Sequence, residues 1–212
     1  MRLKDKIAVV TGGGEGIGKA ICLRFAEEGG EILVVDQNPQ TGQQTVEEIQ
    51  AAGGKAKFLA CDLSHENEII SLSKSIEQQY PRIDVLVNNA AIFLLKGIEA
   101  TREDWEKILS VNVIGYALTC KHLLPLIRNS AAGAIVNLGS ISSFIAQPNF
   151  VTYNAPKAAV ASMTRCLAMD LAPENIRVNA VCPGTVWTQI VERLTQEAGM
   201  TRAEADAHPD WG

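Results

Sequence analysis

Six short apolar runs, at 7–10, 32–35, 57–60, 85–87, 134–138 and 177–181, recur along the chain with longer helical patterns between them. Most are continuous rather than alternating, as in parallel strands covered on both faces. Ile17, Ala20, Ile21 and Phe25 fall at i, i+3, i+4 and i+8, on one helical face. Further helical stretches lie at 41–52 and 66–79, closed by Gly53-Gly54 and Pro81, and longer ones at 102–127 and 151–171. A strictly alternating series of this kind predicts an α/β fold: a single doubly wound parallel sheet with helices on both faces. Such sheets take ligands beyond the carboxyl ends of their strands. Residues just after each run are therefore where chemistry is sought.

The first of these places holds the segment TGGGEGIG at 11–18, opening directly into a helix. Glycine lets the backbone turn tightly and approach a pyrophosphate, and the helix start offers free N–H groups. Alone, such a loop is equally a plain strand–helix turn. The preceding strand, the following helix and an acid downstream make it a dinucleotide loop, with Gly12, Glu15, Gly16, Ile17 and Gly18 against the cofactor. The sheet is then Rossmann-like. Asp36, twenty residues after Gly16, closes the second run, where a carboxylate accepts hydrogen bonds from ribose hydroxyls and repels a 2′-phosphate. Glu15 and Gln37 supply no positive charge, so the expected cofactor is NAD rather than NADP.

Tyr153 and Lys157 are four residues apart on the helical stretch 151–171, hence on one face. A free phenol with a pKa near 10 is a poor base at neutral pH. One cation at about 4 Å is worth roughly 4 kcal/mol at an effective dielectric of about 20, or about three pKa units. Lysine plus a positive nicotinamide ring suffices in principle for a phenolate base.

With these residues added, the chain resembles the short-chain dehydrogenase/reductase family from residue 4 to about 188. TGGGEGIG matches its TGxxxGxG loop. Cys61-Asp62-Leu63 resembles the segment whose aspartate contacts adenine, and Asn88-Asn89-Ala90-Ala91 its NNAG segment with alanine for the last glycine. Val111-Asn112-Val113 carries the family's structural and proton-relay asparagine, and Ser140 stands at its catalytic serine. Pro183-Gly184 matches the turn against the nicotinamide, with Val186 beside it and Thr188 at the carboxamide. The resemblance implies a catalytic set of Asn112, Ser140, Tyr153 and Lys157. Cofactor contacts would come from Asp62, Leu63, Asn89, Ala90, Ala91, Tyr153, Lys157, Pro183, Gly184, Val186 and Thr188 besides the glycine loop, Asp36 and Gln37. Tyr153 would move the proton of an alcohol as hydride passes to NAD, Ser140 would hold the reacting oxygen, Lys157 would tune the phenol and bind the nicotinamide ribose, and Asn112 would order a water. The family's YxxSK reads Tyr153-Asn154-Ala155-Pro156-Lys157 here; proline is tolerated in a first helical turn, where this one is expected.

Function follows as NAD(H)-dependent hydride transfer between nicotinamide and a secondary alcohol or ketone. Gln147, Phe144 and Phe150 precede Tyr153, and Ile92 and Phe93 follow the asparagine pair. A mixed glutamine-and-aromatic wall suggests a small polar substrate such as a sugar, polyol or hydroxy acid. Trp105, Trp187, Arg165 and Arg177 read as packing, loop and structural residues. The alternative is a non-catalytic NAD-binding redox sensor, or an inactive truncated fragment, since the family adds a helix and a seventh strand beyond this chain. Residues 1–212 read as one domain: 1–110 for cofactor, 111–184 for catalysis, and 185–212 as a substrate lid, incomplete at its end.

Nineteen basic against 24 acidic residues give a net charge of −5, which argues against nucleic acid or an anionic membrane as partner. The charged start Met1-Arg2-Leu3-Lys4-Asp5-Lys6 leads into only a short apolar run, so neither signal peptide nor span is expected and the location is cytoplasmic. Five scattered cysteines read as reduced thiols, and His65, His122 and His208 share no ligand spacing, so no metal site is expected. Leu118, Leu123, Leu124, Ala158, Val160, Met163 and Leu167 put apolar surface on more than one face of the two long helices. The resemblance makes these the core of a homodimer, often within a homotetramer.

Overall fold

The structure, a computed structural model, describes residues 1–207. Six strands alternate with eight helices: β1 (Ile7–Thr11), α1 (Gly16–Glu27), β2 (Glu31–Asp36), α2 (Pro39–Ala51), β3 (Lys55–Ala60), α3 (Glu66–Glu77), β4 (Val85–Asn88), α4 (Arg102–Leu109), α5 (Tyr116–Arg128), β5 (Ala134–Leu138), α6 (Val151–Leu171), β6 (Arg177–Val181), α7 (Gln189–Glu197) and α8 (Arg202–Ala207). The strands form one parallel sheet in the order β3-β2-β1-β4-β5-β6. Residues 208–212, with His208 and the end of the expected lid, lie outside the described residues. No described helix is long and apolar enough to cross a membrane.

Burial explains the continuous apolar runs. Along β1, Ala8 and Val10 face one core with Cys22 of α1 and Val46 and Ile49 of α2. Ile7 and Val9 face the other, with Ile69 and Ile76 of α3 and Leu123 and Ile127 of α5. The chain winds outward from β1 to β3, then returns across it to β4. The resulting switch point, between the carboxyl ends of β1 and β4, is where a doubly wound sheet opens a crevice.

Three expectations are corrected. The strand expected at 57–60 begins at Lys55, because at this edge side chains alternate between solvent and helix and the continuous pattern is absent. The helix expected at 102–127 is two helices separated by a π-helical turn, Ser110–Gly115. Within it the Asn112 side chain turns inward to the Ile92 backbone, and the Gly115 Cα lies so close to Leu63 that an added Cβ would come 3.0 Å from the Leu63 carbonyl oxygen. Pro156 is the sixth residue of α6, past the first turn, so the bond it cannot donate is the one to the Thr152 carbonyl. Helix α6 nevertheless runs unbroken, and Tyr153 and Lys157 keep one face.

At the amino end of the sheet, Asp84 is almost wholly buried and accepts from the Ile7 N–H (3.0 Å), the Ser130 hydroxyl (2.6 Å), Lys6 (3.2 Å) and Arg82 (3.1 Å). Burial would raise this carboxyl; the hydrogen bonds from Ser130, Ile7, Lys6 and Arg82 outweigh it and hold the group below its usual range. A folded-state value below the unfolded one gives stabilisation that is complete above about pH 4 and lost as pH falls through the folded value. Asp84→Ala is expected to lower Tm by roughly 10 °C at pH 7, with the gap closing in melts as pH falls through the carboxyl's depressed folded-state range.

Candidate active site

A cavity of about 460 Å³ runs along the carboxyl ends of the strands across the switch point. Its first wall is the loop after β1. Gly12 and Gly16 have φ of +63° and +54°, left-handed values that let the chain reverse into α1. No side chain caps α1, so the N–H groups of its first turn remain available where Gly16 and Ile17 line the cavity. Gly12, Glu15, Gly16 and Ile17 all line it as the sequence implies; Gly18 does not. The Gly18 Cα packs instead on the Gly12 carbonyl.

At one end Asp36 closes β2. Its two carboxylate oxygens accept from the Gly14 and Asn38 N–H groups, each at 2.9 Å, which fixes the side chain at the cavity wall. Gln37, Asp62 and Leu63 line the same end, joined by Asn38 and Thr41, which sequence reasoning passed over. Asn38 was findable: Asn-Pro before a helical run is an N-cap, and its side chain accepts from Gln40 and Thr41.

Asn89 stitches the loop after β4 to the glycine turn. It donates to the Thr11 and Gly12 carbonyls at 2.9 and 3.1 Å, while its own N–H donates to the Thr11 hydroxyl. Ala90 and Ala91 continue along the cavity. Asn112 is wholly buried and does not line it; it accepts from the Ile92 N–H (2.9 Å) and donates to the Ile92 carbonyl (3.0 Å), holding this loop from behind.

The other end assembles the expected residues of the reaction and the nicotinamide turn. Ser140, Tyr153, Lys157, Pro183, Gly184, Val186 and Thr188 all line the cavity. Ser140 follows β5 and caps a short 3₁₀ turn by accepting from the Ser142 N–H. Lys157 is buried, and its Nζ donates to the Leu138 carbonyl at 2.7 Å. Burial lowers the Lys157 amine to about 8. Burial also pushes the Tyr153 phenol up, with the Ser140 hydroxyl pulling it back. Within the protein alone, burial therefore outweighs the hydrogen bond from Ser140 at this phenol. The ammonium sits over the ring, 5.8 Å from its centroid, and bonds a carbonyl.

Aromatic rings flank Tyr153. Phe93 stacks on it at 4.9 Å and 19°, and Phe150 meets it edge-on at 6.3 Å and 84°. Thr152 pins the loop carrying Phe93: its hydroxyl accepts from the Lys96 N–H and donates to the Leu94 carbonyl. Ile92, Phe93, Gln147 and Phe150 line the cavity as expected, with Gln147 accepting from Ser142 at 2.7 Å. Phe144 does not; it is largely exposed and faces a separate depression beside Arg165 and Cys182. Ile190, Arg193 and Leu194 of α7 close the cavity, and their amphipathic spacing in the expected lid was the signal for them. Arg202 stacks on Trp187 at 4.7 Å. Among the described residues no cluster of His, Cys, Asp or Glu is suited to a metal ion.

The family model described as short chain dehydrogenase matches residues 6–199. A cyclopentanol dehydrogenase of Comamonas sp. is 38% identical over 203 residues, covering 95% of this chain and 81% of its own. A 3beta-hydroxysteroid dehydrogenase of Mediterraneibacter gnavus is 34% identical over 208 residues, covering 97% of this chain and 75% of its own. Among solved structures, the Pseudomonas aeruginosa RhlG/NADP active-site complex is similar with a TM-score of 0.89 and 29% identity, over 99% of this chain and 85% of that one.

Proposed function

The chain belongs to the short-chain dehydrogenase/reductase family, oxidoreductases of alcohols and ketones that bind a nicotinamide cofactor, and we propose from that premise that it is an NAD(H)-dependent dehydrogenase of apolar, ring-sized secondary alcohols. The observation that carries the cofactor choice is Asp36, fixed by two backbone N–H groups where the adenosine ribose would lie. Glu15 lines the same cavity, and Lys157 and Arg193 are the only lysine or arginine among the described residues that do. A 2′-phosphate would meet carboxylates without a compensating cation. The neighbour solved with NADP marks the contrast to be tested.

The cavity fits a dinucleotide in size and in the order of its groups: acid, uncapped helix start, then hydroxyl and amine. Bound NAD supplies the hydride acceptor. Tyr153 takes the carbinol proton, or returns it to a ketone; Ser140 donates to the same oxygen and fixes its position; Lys157 binds ribose hydroxyls and keeps its charge beside the phenol. Asn112 acts from behind, through the Ile92 backbone. In this division residues 1–110 hold the cofactor and 111–184 carry the reaction. A pure redox sensor would need no proton relay, so the buried Tyr153–Lys157 pair favours an enzyme.

The wall around Tyr153 favours an apolar substrate over the polyol or hydroxy acid suggested by Gln147. The phenol is bracketed by Phe93 and Phe150, with Ile92, Leu95 and Ile141 beside them, while the Gln147 oxygen is taken by Ser142. Two relatives named for ring alcohols point the same way. We place the enzyme in the cytoplasm as a homo-oligomer, through Leu118, Leu124, Met163 and Leu167, which α5 and α6 leave only partly buried.

Initial rates with NAD and NADP over a panel of cyclopentanol, cyclohexanol, glycerol and lactate test the reading. Expected are a preference for NAD of at least about 100-fold in kcat/KM and rates confined to the ring alcohols. Asp36→Asn, which removes the charge, is expected to cut the NAD preference about tenfold or more. Equal use of both cofactors by the parent, or turnover of the polar alcohols alone, would overturn it.

A further inference from the structure

Lys157 is 2% exposed, and the Leu138 carbonyl is the one hydrogen-bond acceptor that its ammonium finds among the described residues. A buried cation with two N–H groups left over is costly unless something else favours its charge. The groups facing it are few: the Tyr153 ring from α6 itself, the Tyr116 ring from α5, and the Cys182 thiol beyond β6. No carboxylate among the described residues pairs with it.

The two rings are placed alike. Nζ lies 5.8 Å from the Tyr153 centroid and 5.9 Å from that of Tyr116, both within the reach of attraction to an aromatic face. Tyr153 has its part in the reaction. Tyr116 has none so far. It opens α5 directly after the π-helical turn that carries Asn112, it is wholly buried, and its hydroxyl has no hydrogen-bond partner among the described residues. Whatever Tyr116 does for the ammonium it therefore does through its ring.

We infer that Tyr116 is a positioning residue of the proton-transfer site, its ring face joining that of Tyr153 to keep Lys157 in its charged form. The inference rests on the reading of Tyr153 and Lys157 as the proton-transfer pair. Burial already brings the Lys157 amine down to about 8. Weakening the Tyr116 ring lowers it further, so that near neutral pH more of the amine is uncharged and the phenolate loses its neighbouring cation. Alcohol oxidation then requires a higher pH.

The test keeps shape constant and changes only the ring's electrostatics. Position 116 is replaced by Phe and by Phe carrying one, two and three ring fluorines, which drain charge from the face without opening a cavity. Lys157 is titrated by carbon NMR in protein made with labelled lysine, its signal identified by its loss in Lys157→Met. The Phe variant is expected to titrate within about 0.3 unit of the parent, and the amine to fall in steps to about one unit lower with three fluorines. The alkaline shift of kcat/KM for alcohol oxidation should follow the same order. Cys182 is unchanged throughout, so its contribution cancels.

An amine insensitive to fluorination overturns the inference. So does a Phe variant that already shows the full shift, because the hydroxyl would then be the acting group. A shifted amine with an unshifted rate profile removes Tyr116 from the reaction. The titration needs no turnover, so an inactive parent would sink the proposed function while the amine still reports on the ring.

Discussion

Tyr153→Phe is expected to lower kcat for alcohol oxidation by about 10³-fold or more while leaving NAD affinity within about twofold. The phenol oxygen is the only part of the side chain removed. The ring stays, so the stack with Phe93 at 4.9 Å and the edge contact with Phe150 survive, and the loop pinned by Thr152 keeps its place. The Lys157 ammonium also stays over the ring and on the Leu138 carbonyl, leaving the ribose end of the cofactor site intact. What disappears is the group we propose takes the carbinol proton, for which neither Ser140 nor Lys157 is a substitute: one is too weak an acid or base, the other already carries its proton. Initial rates of NADH formation with cyclopentanol, paired with NADH fluorescence titration, separate the two effects. Near-normal kcat would remove Tyr153 from the reaction. A parallel collapse of NAD binding would mean that the variant had disturbed the site, and that the rate says nothing of proton transfer.

Why the Tyr153 position could be read in advance, and its surroundings could not, is a matter of range. A parallel strand buried on both faces announces itself as a continuous apolar run, and β1, β2, β4 and β5 were legible on that ground. The loop at Gly12–Gly18 and the four-residue spacing of Tyr153 and Lys157 are also local facts. The π-helical turn is not: its apolar spacing resembles that of the α-helix on either side, and Asn112 finds its partner Ile92 twenty residues away. Stacking of Phe93 on Tyr153 joins loop to helix across sixty residues, and only the folded chain shows it within the expected glutamine-and-aromatic wall. The burial of the phenol and the amine was also out of reach. Coulomb's law applied to one pair omits desolvation, which here raises Tyr153 and lowers Lys157 together.

The glycine loop yields the second large effect, at the one of its residues that does not line the cavity. Gly18→Ala is expected to weaken NAD binding on the order of 100-fold and to destabilise the fold by about 3 kcal/mol. A Cβ on Gly18 would come 2.0 Å from the Gly12 carbonyl oxygen, 2.8 Å from its carbon and 2.4 Å from the Asn89 Nδ2. Two of these are backbone atoms of the turn and cannot rotate aside, so α1 must lift from the end of β1. The third is the amide that bonds the Thr11 and Gly12 carbonyls, so the tie between the loops after β1 and β4 is strained with it. The uncapped first turn of α1 then no longer faces the phosphates at the distance that makes its N–H groups useful. Gly16→Ala is the control. Its added Cβ would come no closer than 3.5 Å to Thr188, and its cost to the fold is confined to the strain of a +54° φ, about 1 kcal/mol. Thermal melts should rank Gly18→Ala well below Gly16→Ala, while calorimetric titration with NAD reads the lost affinity of Gly18→Ala against the parent. If Gly18→Ala kept the parent's affinity and Tm, α1 would have room to move that its packing on Gly12 denies.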